Sequence, residues 1–240
     1  MTTLIYVVAF LVVLAASYVL YRRIWMSPKG SVHFRTDKGN VIKEVNAASS
    51  FDEEAADKPD KKTEEKDKER GRVFVRRAKK KCNCVGFALG RGDWEIDTSE
   101  LPLILKDNYT AVADGSAKVC NIIVYGDAKK GYDHIGLVIE VTKDGKPKVV
   151  RSKATTSDFV YDSPPNVQPY GNDYTVHDRT STDNLPKEQK DKIEKLQKEY
   201  DKIKDKSSKE AHDAAALLCQ EKNALLLGKQ SKTPGKKQGK

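Results

Sequence analysis

The chain has 240 residues, of which 33% are charged and 38% are apolar, so its core must come from selected stretches. Its formal net charge of +9 comes from 44 basic residues interspersed with 35 acidic ones. Such a mixture is typical of a solvated surface, and no aromatic RNA-binding pattern or helix-turn-helix signature accompanies it. The sequence therefore disfavours nucleic acid as a partner. The 4 cysteines exclude a disulfide-rich framework and are more typical of a reducing compartment.

The first element is an uncharged stretch over residues 3–21. A helix of this length spans about 28 Å, enough to cross the hydrocarbon core of a bilayer. Arg22 and Arg23 follow at once, so the positive-inside rule predicts a single-pass membrane anchor, residues 1–23, with the main body in the cytoplasm. Cleavage by a signal peptidase after the small residues that end at Ser17 is the alternative.

Two polar segments follow the anchor. Residues 24–48 form a juxtamembrane segment, within which residues 32–45 alternate around a DKGN turn and predict a small hairpin. Residues 49–72 are nearly all charged and lack apolar periodicity. Because such a segment buries too little apolar surface to offset its ordering entropy, we expect a disordered tether there.

The folded unit is expected over residues 73–180, with an α+β fold. It begins with an arm or strand, VFVRR, which leads into the segment that carries two cysteines. Runs of β-branched and apolar residues then predict strands, and Asp144 with Gly145 predicts a turn between two of them. The predicted strands are 119–127, 134–142, 146–153 and 174–179.

The pattern changes to a helical one after Pro186. Residues 186–228 carry apolar side chains at three- and four-residue spacing, which predicts one or two amphipathic helices with a break near Ser207 and Ser208 and with Gly228 as a C-cap. The narrow apolar stripe either packs on the domain or pairs with a partner helix. Residues 229–240 form a basic, flexible tail.

The stretch KKKCNCVGFALGRGDW, residues 79–94, allows a metal site, a pair of structural thiols or a nucleophile. Cys82 and Cys84 lack the C-x-x-C spacing and the second ligand pair of a zinc site, and they are too close in sequence to bridge without strain. Cys84 starts an apolar helical turn, where the helix dipole favours a thiolate. A buried small thiol that packs the helix is the alternative.

A nucleophilic cysteine needs a base, and His134 is the candidate. It opens the predicted strand HIGLVIEV, from which it can point toward the N-terminus of a helix packed on the sheet. His33 and His212 fit this role less well because of their positions outside the domain, and His177 is a reserve candidate.

These motifs resemble the NlpC/P60-like branch of the papain-fold cysteine hydrolases, over about residues 80–179. The resemblance is closest to an uncharacterised bacterial subgroup and implies a Cys-bearing helix packed on a small antiparallel sheet, with neither a cofactor nor a metal. The matching residues are Asn83, Cys84, Ala88, Gly90, Trp94, His134, Ser152, Lys153, Tyr170 and Gly171.

The third catalytic group departs from the pattern of the family. Ser152 and Lys153 occupy the strand after His134, yet neither is the His, Asn or Gln that usually orients the imidazole. Asp158 in the following loop can take that role. Lys153 either binds an anionic group of the substrate or is a surface charge.

Two functions of different classes follow. In the first, the protein is a membrane-anchored thiol hydrolase in which Cys84 attacks an amide or ester of a peptide or protein and His134 transfers the proton. In the second, the papain-like domain is a non-catalytic, membrane-tethered scaffold, since fold does not fix function. Peptidoglycan as a substrate conflicts with a cytoplasmic domain.

Overall fold

A computed structural model describes residues 33–51, 56–127, 129, 131–153, 159–167 and 170–228. The predicted anchor and the predicted basic tail both lie outside these residues. In the part of the chain that is described, no helix combines the length and the apolar character needed to cross a membrane.

The fold is α+β, as predicted, and is built on antiparallel strands. The strands are β1 (His33–Arg35), β2 (Val41–Ile42), β3 (Val45–Ala47), β4 (Val73–Arg77), β5 (Trp94–Ile96), β6 (Tyr109–Ala111), β7 (Ile122–Asp127), β8 (Gly131–Val141), β9 (Pro147–Lys153), β10 (Phe159–Ser163), β11 (Tyr174–Arg179) and β12 (Leu226–Gly228). Seven of them form one sheet in the order β4-β10-β9-β8-β7-β11-β6. Two small sheets have the orders β12-β1-β2 and β3-β5.

Five α-helices lie in the described residues. They are α1 (Lys61–Glu69), α2 (Cys84–Leu89), α3 (Leu101–Asn108), α4 (Lys187–Lys202) and α5 (Lys209–Asn223), with a 3₁₀ turn at Thr98–Glu100. Helices α2 and α5 both pack on β8, and α4 packs on α5. The short cysteine-bearing helix therefore lies on the middle of the large sheet.

The centre of the large sheet is the meander β7-β8-β9, close to the strands that the sequence predicts. The turn between β8 and β9 contains Asp144 and Gly145, as the sequence indicates, and the backbone N–H of Thr142 donates to the carbonyl of Lys146. Gly145 has φ +71°, and a Cβ there would lie 2.1 Å from the carbonyl oxygen of Gly115. Only glycine fits this turn without displacing its neighbour.

The two faces of the sheet carry different cores, because successive side chains of a strand point to opposite faces. On one face, hereafter the helix face, the buried residues are Ile122, Val124, Ile135 and Leu137, which belong to the cluster that includes α2 and α5. On the other, hereafter the tyrosine face, they are Ile123, Tyr125, Val138 and Val150, against which Tyr170 and Tyr174 pack. The sheet separates the two clusters.

The predicted disordered tether is wrong for residues 61–69, which form α1. Asp60 caps this helix by accepting a hydrogen bond from the backbone N–H of Thr63 at 2.8 Å. Asp67 is 6% exposed and its carboxylate lies 3.6 Å from the guanidinium of Arg72. Helix α1 packs on β4. The charged run is ordered because capping, an ion pair and tertiary contact replace the apolar periodicity that it lacks.

Residues 34–48 of the juxtamembrane segment are part of the folded unit rather than a connector to it. Strands β1 and β2 pair in the predicted hairpin, with Phe34 opposite Ile42. Both side chains are at most 2% exposed, and the Phe34 ring meets Trp94 edge-on at 5.1 Å. Residues Phe34–Leu227 form one compact unit, so its boundary lies well before the predicted residue 73.

The C-terminal region forms two helices with a break around Ser207 and Ser208, as predicted, and α5 is built into the core. Gln220 donates to the backbone carbonyl of Phe87 at 2.9 Å. The apolar stripe of α5 therefore packs on the domain itself, which was one of the two alternatives. The predicted C-cap is wrong, because the helix ends at Asn223 and Gly228 belongs to β12.

A disulfide joins Cys120, just before β7, to Cys219 on α5, with 4.5 Å between the Cα atoms. Asn223 reinforces the same junction by donating to the backbone carbonyl of Cys120 at 2.9 Å. The reducing-compartment interpretation does not anticipate this bond, because the partners are 99 residues apart and only the fold brings them together. Disulfides persist mainly in oxidising compartments.

We expect that the Cys120→Ala/Cys219→Ala double variant loses about 4 to 5 kcal/mol of unfolding free energy, the chain-entropy value for a closed loop of this length. Urea unfolding followed by far-UV circular dichroism measures this loss. A reducing agent should lower the stability of the wild type by a similar amount and leave the double variant unchanged. A wild type that is insensitive to the reductant would show that the bond contributes no stability.

Candidate functional site

Helix α2 is positioned by its N-cap and by a close approach to β5. The side chain of Asn83 accepts from the backbone N–H of Gly86 at 2.8 Å and donates to the carbonyl of Ile96 at 2.7 Å. A Cβ at Gly86 would lie 1.7 Å from the carbonyl oxygen of Trp94, so only glycine fits there. Cys84 follows the cap, as predicted, and is 0% exposed.

His134 lies on the tyrosine face of the sheet. It pairs with Tyr125 across β7 and β8, and its ring stacks on Tyr170 with 4.4 Å between centroids and an interplanar angle of 2°. The side chain is nearly fully buried, and no described residue hydrogen-bonds its Nδ1. Burial, and secondarily the charge of Arg72, lowers the pKa of His134 to about 3. The imidazole is therefore neutral at physiological pH.

The predicted pair of Cys84 and His134 is not brought together. Cys84 belongs to the core cluster of the helix face, with Ile135 and Leu137. His134 precedes Ile135 by one residue and points to the opposite face, where Tyr125 and Tyr170 cover it. Because the sheet lies between the thiol and the imidazole, His134 cannot act as the base for Cys84 in this arrangement.

The other two predicted site residues divide between the faces in the same way. A Cβ placed on Gly136 would lie 3.3 Å from the Cβ of Ser152, which puts Ser152 on the tyrosine face with His134. Lys153 points to the helix face, where its charge acts on the thiol of Cys82. Lys153 is only 3% exposed, so it is not the surface charge considered as an alternative.

His177 and His212 also have partners other than Cys84. His177, the reserve candidate, contacts the hydroxyl of Thr175 at 2.8 Å through Nε2. Nε2 of His212 lies 2.9 Å from Oε2 of Glu140. The side chain of His33 and all of Asp158 lie outside the described part of the chain.

A basic cavity of about 310 Å³ opens on the helix face between β4, α2, β9 and α5. We call it the basic pocket. Its apolar wall includes Phe87 and Leu217, and Cys82 contributes its thiol. Asp213 is the acidic residue of the lining. The basic residues are Arg76, Lys79, Arg91, Arg151 and Lys209.

A β-bulge in β4 aims Arg76 into the basic pocket. The pairing of β4 with β10 shifts between Val160 and Tyr161, so that Arg76 pairs with Val160 and Phe74 with Tyr161. The extra residue, Val75, lets both Val75 and Arg76 face the pocket. Arg76 is half-buried, and burial together with the charge of Arg151 lowers its pKa.

The cations of the basic pocket differ in how they are compensated. Arg151 donates to both carboxylate oxygens of Asp162, at 2.6 and 2.8 Å, and to Asp213 at 2.6 Å. Arg91 forms an ion pair with Glu221 at 3.1 Å. Within the described residues Arg76, Lys79 and Lys209 form no ion pair, although the charge of Asp213 acts on Arg76. The pocket therefore holds an excess of positive charge that an anion can neutralise.

Sequence reasoning missed the basic pocket and the thiol that lines it. The sequence shows RR at the end of VFVRR and a lysine at the start of α5, but these residues are far apart in the chain and neither resembles a motif. Cys82 precedes the helix that Cys84 starts, and nothing in the sequence indicates that it is buried at the pocket wall. Only the α5–β4 juxtaposition reveals the site.

The described residues contain no group of three or more His, Cys, Asp or Glu side chains that could hold a metal ion. No family model, curated protein or solved structure matches this chain. The geometry of the basic pocket and of the two sheet faces therefore carries the functional argument.

The burial of His134 predicts that stability decreases when the pH is lowered below the ordinary pKa of histidine. Because the pKa is about 3 in the folded state and about 6.5 when unfolded, the unfolded state binds an extra proton between these values. Stability should fall as pH is lowered through this window, by up to about 1.4 kcal/mol per pH unit.

His134→Phe keeps an aromatic ring on Tyr170 and removes the titrating group. Urea unfolding of the wild type and this variant between pH 7 and pH 4 should give curves that diverge in favour of the variant as pH falls. All other titrating groups are shared, so the difference isolates His134. Parallel curves would show that the imidazole is accessible to protons in the folded state.

Proposed function

We propose that the folded unit is a non-catalytic binding module that takes an anionic group, such as a carboxylate or a phosphate, into the basic pocket. One observation carries this proposal. Arg76 is half-buried beside Arg151, without an ion pair of its own among the described residues, in a cavity with five cations and one acid. Holding like charges together is unfavourable in the absence of an anion, and guanidinium groups match carboxylate and phosphate geometry.

The alternative function, a thiol hydrolase, is less well supported by the site. Nucleophilic catalysis requires a base within hydrogen-bond reach of the thiol. Cys84 is fully buried on the helix face and His134 is stacked among tyrosines on the other. Cys82 lines the basic pocket, but burial raises the pKa of its thiol, an effect that Lys153 opposes only in part.

In this proposal the chain uses an NlpC/P60-like fold only as a scaffold. The support is the capped helix α2 with Cys84 in its first turn, packed on the antiparallel strands β8 and β9. In such a scaffold the papain-like layout holds the binding surface without performing the family's chemistry.

The proposal includes a membrane tether at residues 3–21, supported by their uncharged composition. Two features give opposite indications of the side of the membrane on which the folded unit lies. Arg22 and Arg23 favour a cytoplasmic domain, as the sequence predicts. The Cys120–Cys219 disulfide favours an oxidising compartment, and we give it more weight because it depends on the folded unit itself.

Anion binding can be measured with inorganic phosphate by isothermal titration calorimetry of the full chain at low ionic strength. We expect the wild type to bind and Arg76→Met to bind at least about tenfold more weakly, the loss of one charge-assisted hydrogen bond. Arg70→Met is the matched control, since Arg70 is exposed at the end of α1 and outside the pocket. Equal affinities in the two variants would place the anion elsewhere and refute the proposal.

Alkylation with iodoacetamide distinguishes the binding-module proposal from the hydrolase alternative. We expect Cys82 to be labelled only at alkaline pH, because burial raises the pKa of its thiol, and Cys84 not to be labelled in the folded protein. Peptide mapping by mass spectrometry assigns the site, with Cys82→Ser and Cys84→Ser as controls. If Cys84 is labelled rapidly near pH 7, and His134→Ala shifts this labelling to higher pH, the hydrolase function is supported and the binding-module proposal is wrong.

A further inference from the structure

The basic pocket continues into a second cavity, and together they form one groove. The second cavity has a volume of about 500 Å³ and lies beside Gly71, Pro164 and Ser207. Val75, Arg151 and Lys209 line both cavities. We call the combined feature the β4–α5 groove, because its walls are the outermost strand of the large sheet and the helix that follows Ser208.

Both ends of the β4–α5 groove carry an exposed apolar side chain. Val73 is 65% exposed and lines the second cavity, and Leu217 is 51% exposed and lines the basic pocket. These two are the exposed large hydrophobic residues of the described part of the chain. Single exposed apolar residues are ordinary. These two differ in that both line the same groove, where they can contact apolar groups of a ligand.

The charges between these ends are predominantly positive. Asp162 and Asp213 both pair with Arg151, whose single charge offsets only one of the two carboxylates. The cations Arg76, Lys79 and Lys209 outnumber the remaining carboxylate. Lys148 pairs with Glu140 at 2.6 Å. Arg76, Lys79 and Lys209 remain, each without an ion pair among the described residues. A complementary ligand therefore has negative groups at its centre and apolar groups toward both ends.

We propose that the occupant of the β4–α5 groove is an extended acidic peptide segment of a partner protein, with carboxylates opposite Arg76 and Lys209 and apolar side chains against Val73 and Leu217. The inference depends on the proposed anion-binding function and names its ligand class. The two cavities, of about 310 and about 500 Å³, are larger than a single small anion, which favours an extended chain as the occupant. A second copy of this chain is a poor complement because its net charge is +9.

Fluorescence anisotropy of labelled octapeptides with the full chain tests this inference. The probes are an alternating Glu-Leu peptide, a Gln-Leu peptide without the charge and a Glu-Ser peptide without the apolar groups. We expect the Glu-Leu peptide to bind at least about tenfold more tightly than either of the others, and its affinity to fall with added salt. Leu217→Ser and Arg76→Met should each weaken it, whereas the exposed control Arg70→Met should not.

The failures of the two proposals are distinguishable. If phosphate binds through Arg76 but the Glu-Leu and Glu-Ser peptides bind equally well, the pocket takes anions and the peptide inference is overturned. If neither phosphate nor any peptide binds, the anion-binding function itself is wrong. Analytical ultracentrifugation tests whether a second copy of the chain occupies the groove. A wild-type dimer that Leu217→Ser dissociates would show that it does, and would also overturn the inference.

Discussion

The alternation of side chains along β8 is the constraint on which the rest of the structure depends. Ile135 and Leu137 point toward α2 and α5, while His134 and Val138 point toward the tyrosines. Each set is buried, so a shift of the strand register by one residue would move every one of these side chains to the opposite face of the sheet. The same alternation separates Cys84 from His134, because a residue can serve only one face of the sheet.

The basic pocket on the helix face results from one local irregularity and from the placement of one helix. The bulge in β4 turns Arg76 toward the same face as Val75, and α5 covers β8 without covering the outer strands. Arg151 then fixes the floor by pairing with both Asp162 and Asp213, and Arg76 has no ion pair of its own among the described residues. A positively charged groove with apolar ends follows from backbone geometry and ion pairing together.

Several elements could be predicted because their causes are local. The strands β7, β8, β9 and β11 follow from runs of β-branched residues, and the β8–β9 turn follows from Asp144 and Gly145. Helix α1 could not be predicted, because its order comes from contact with β4 and from the ion pair between Asp67 and Arg72. Composition indicated disorder there, and tertiary contact overrode it.

The sequence by itself determined where the strands β7, β8, β9 and β11 lie and where α2 begins, since these depend on neighbouring residues. Only the tertiary structure decided which face each side chain occupies and which distant residues meet. One inserted residue, such as the bulges beside Tyr125 and Val160, reverses the face of every side chain beyond it, and no local pattern specifies it. The β4–α5 groove depends on the bulge in β4, and the Cys120–Cys219 bond depends on chain closure over 99 residues, so both became visible only in the folded protein.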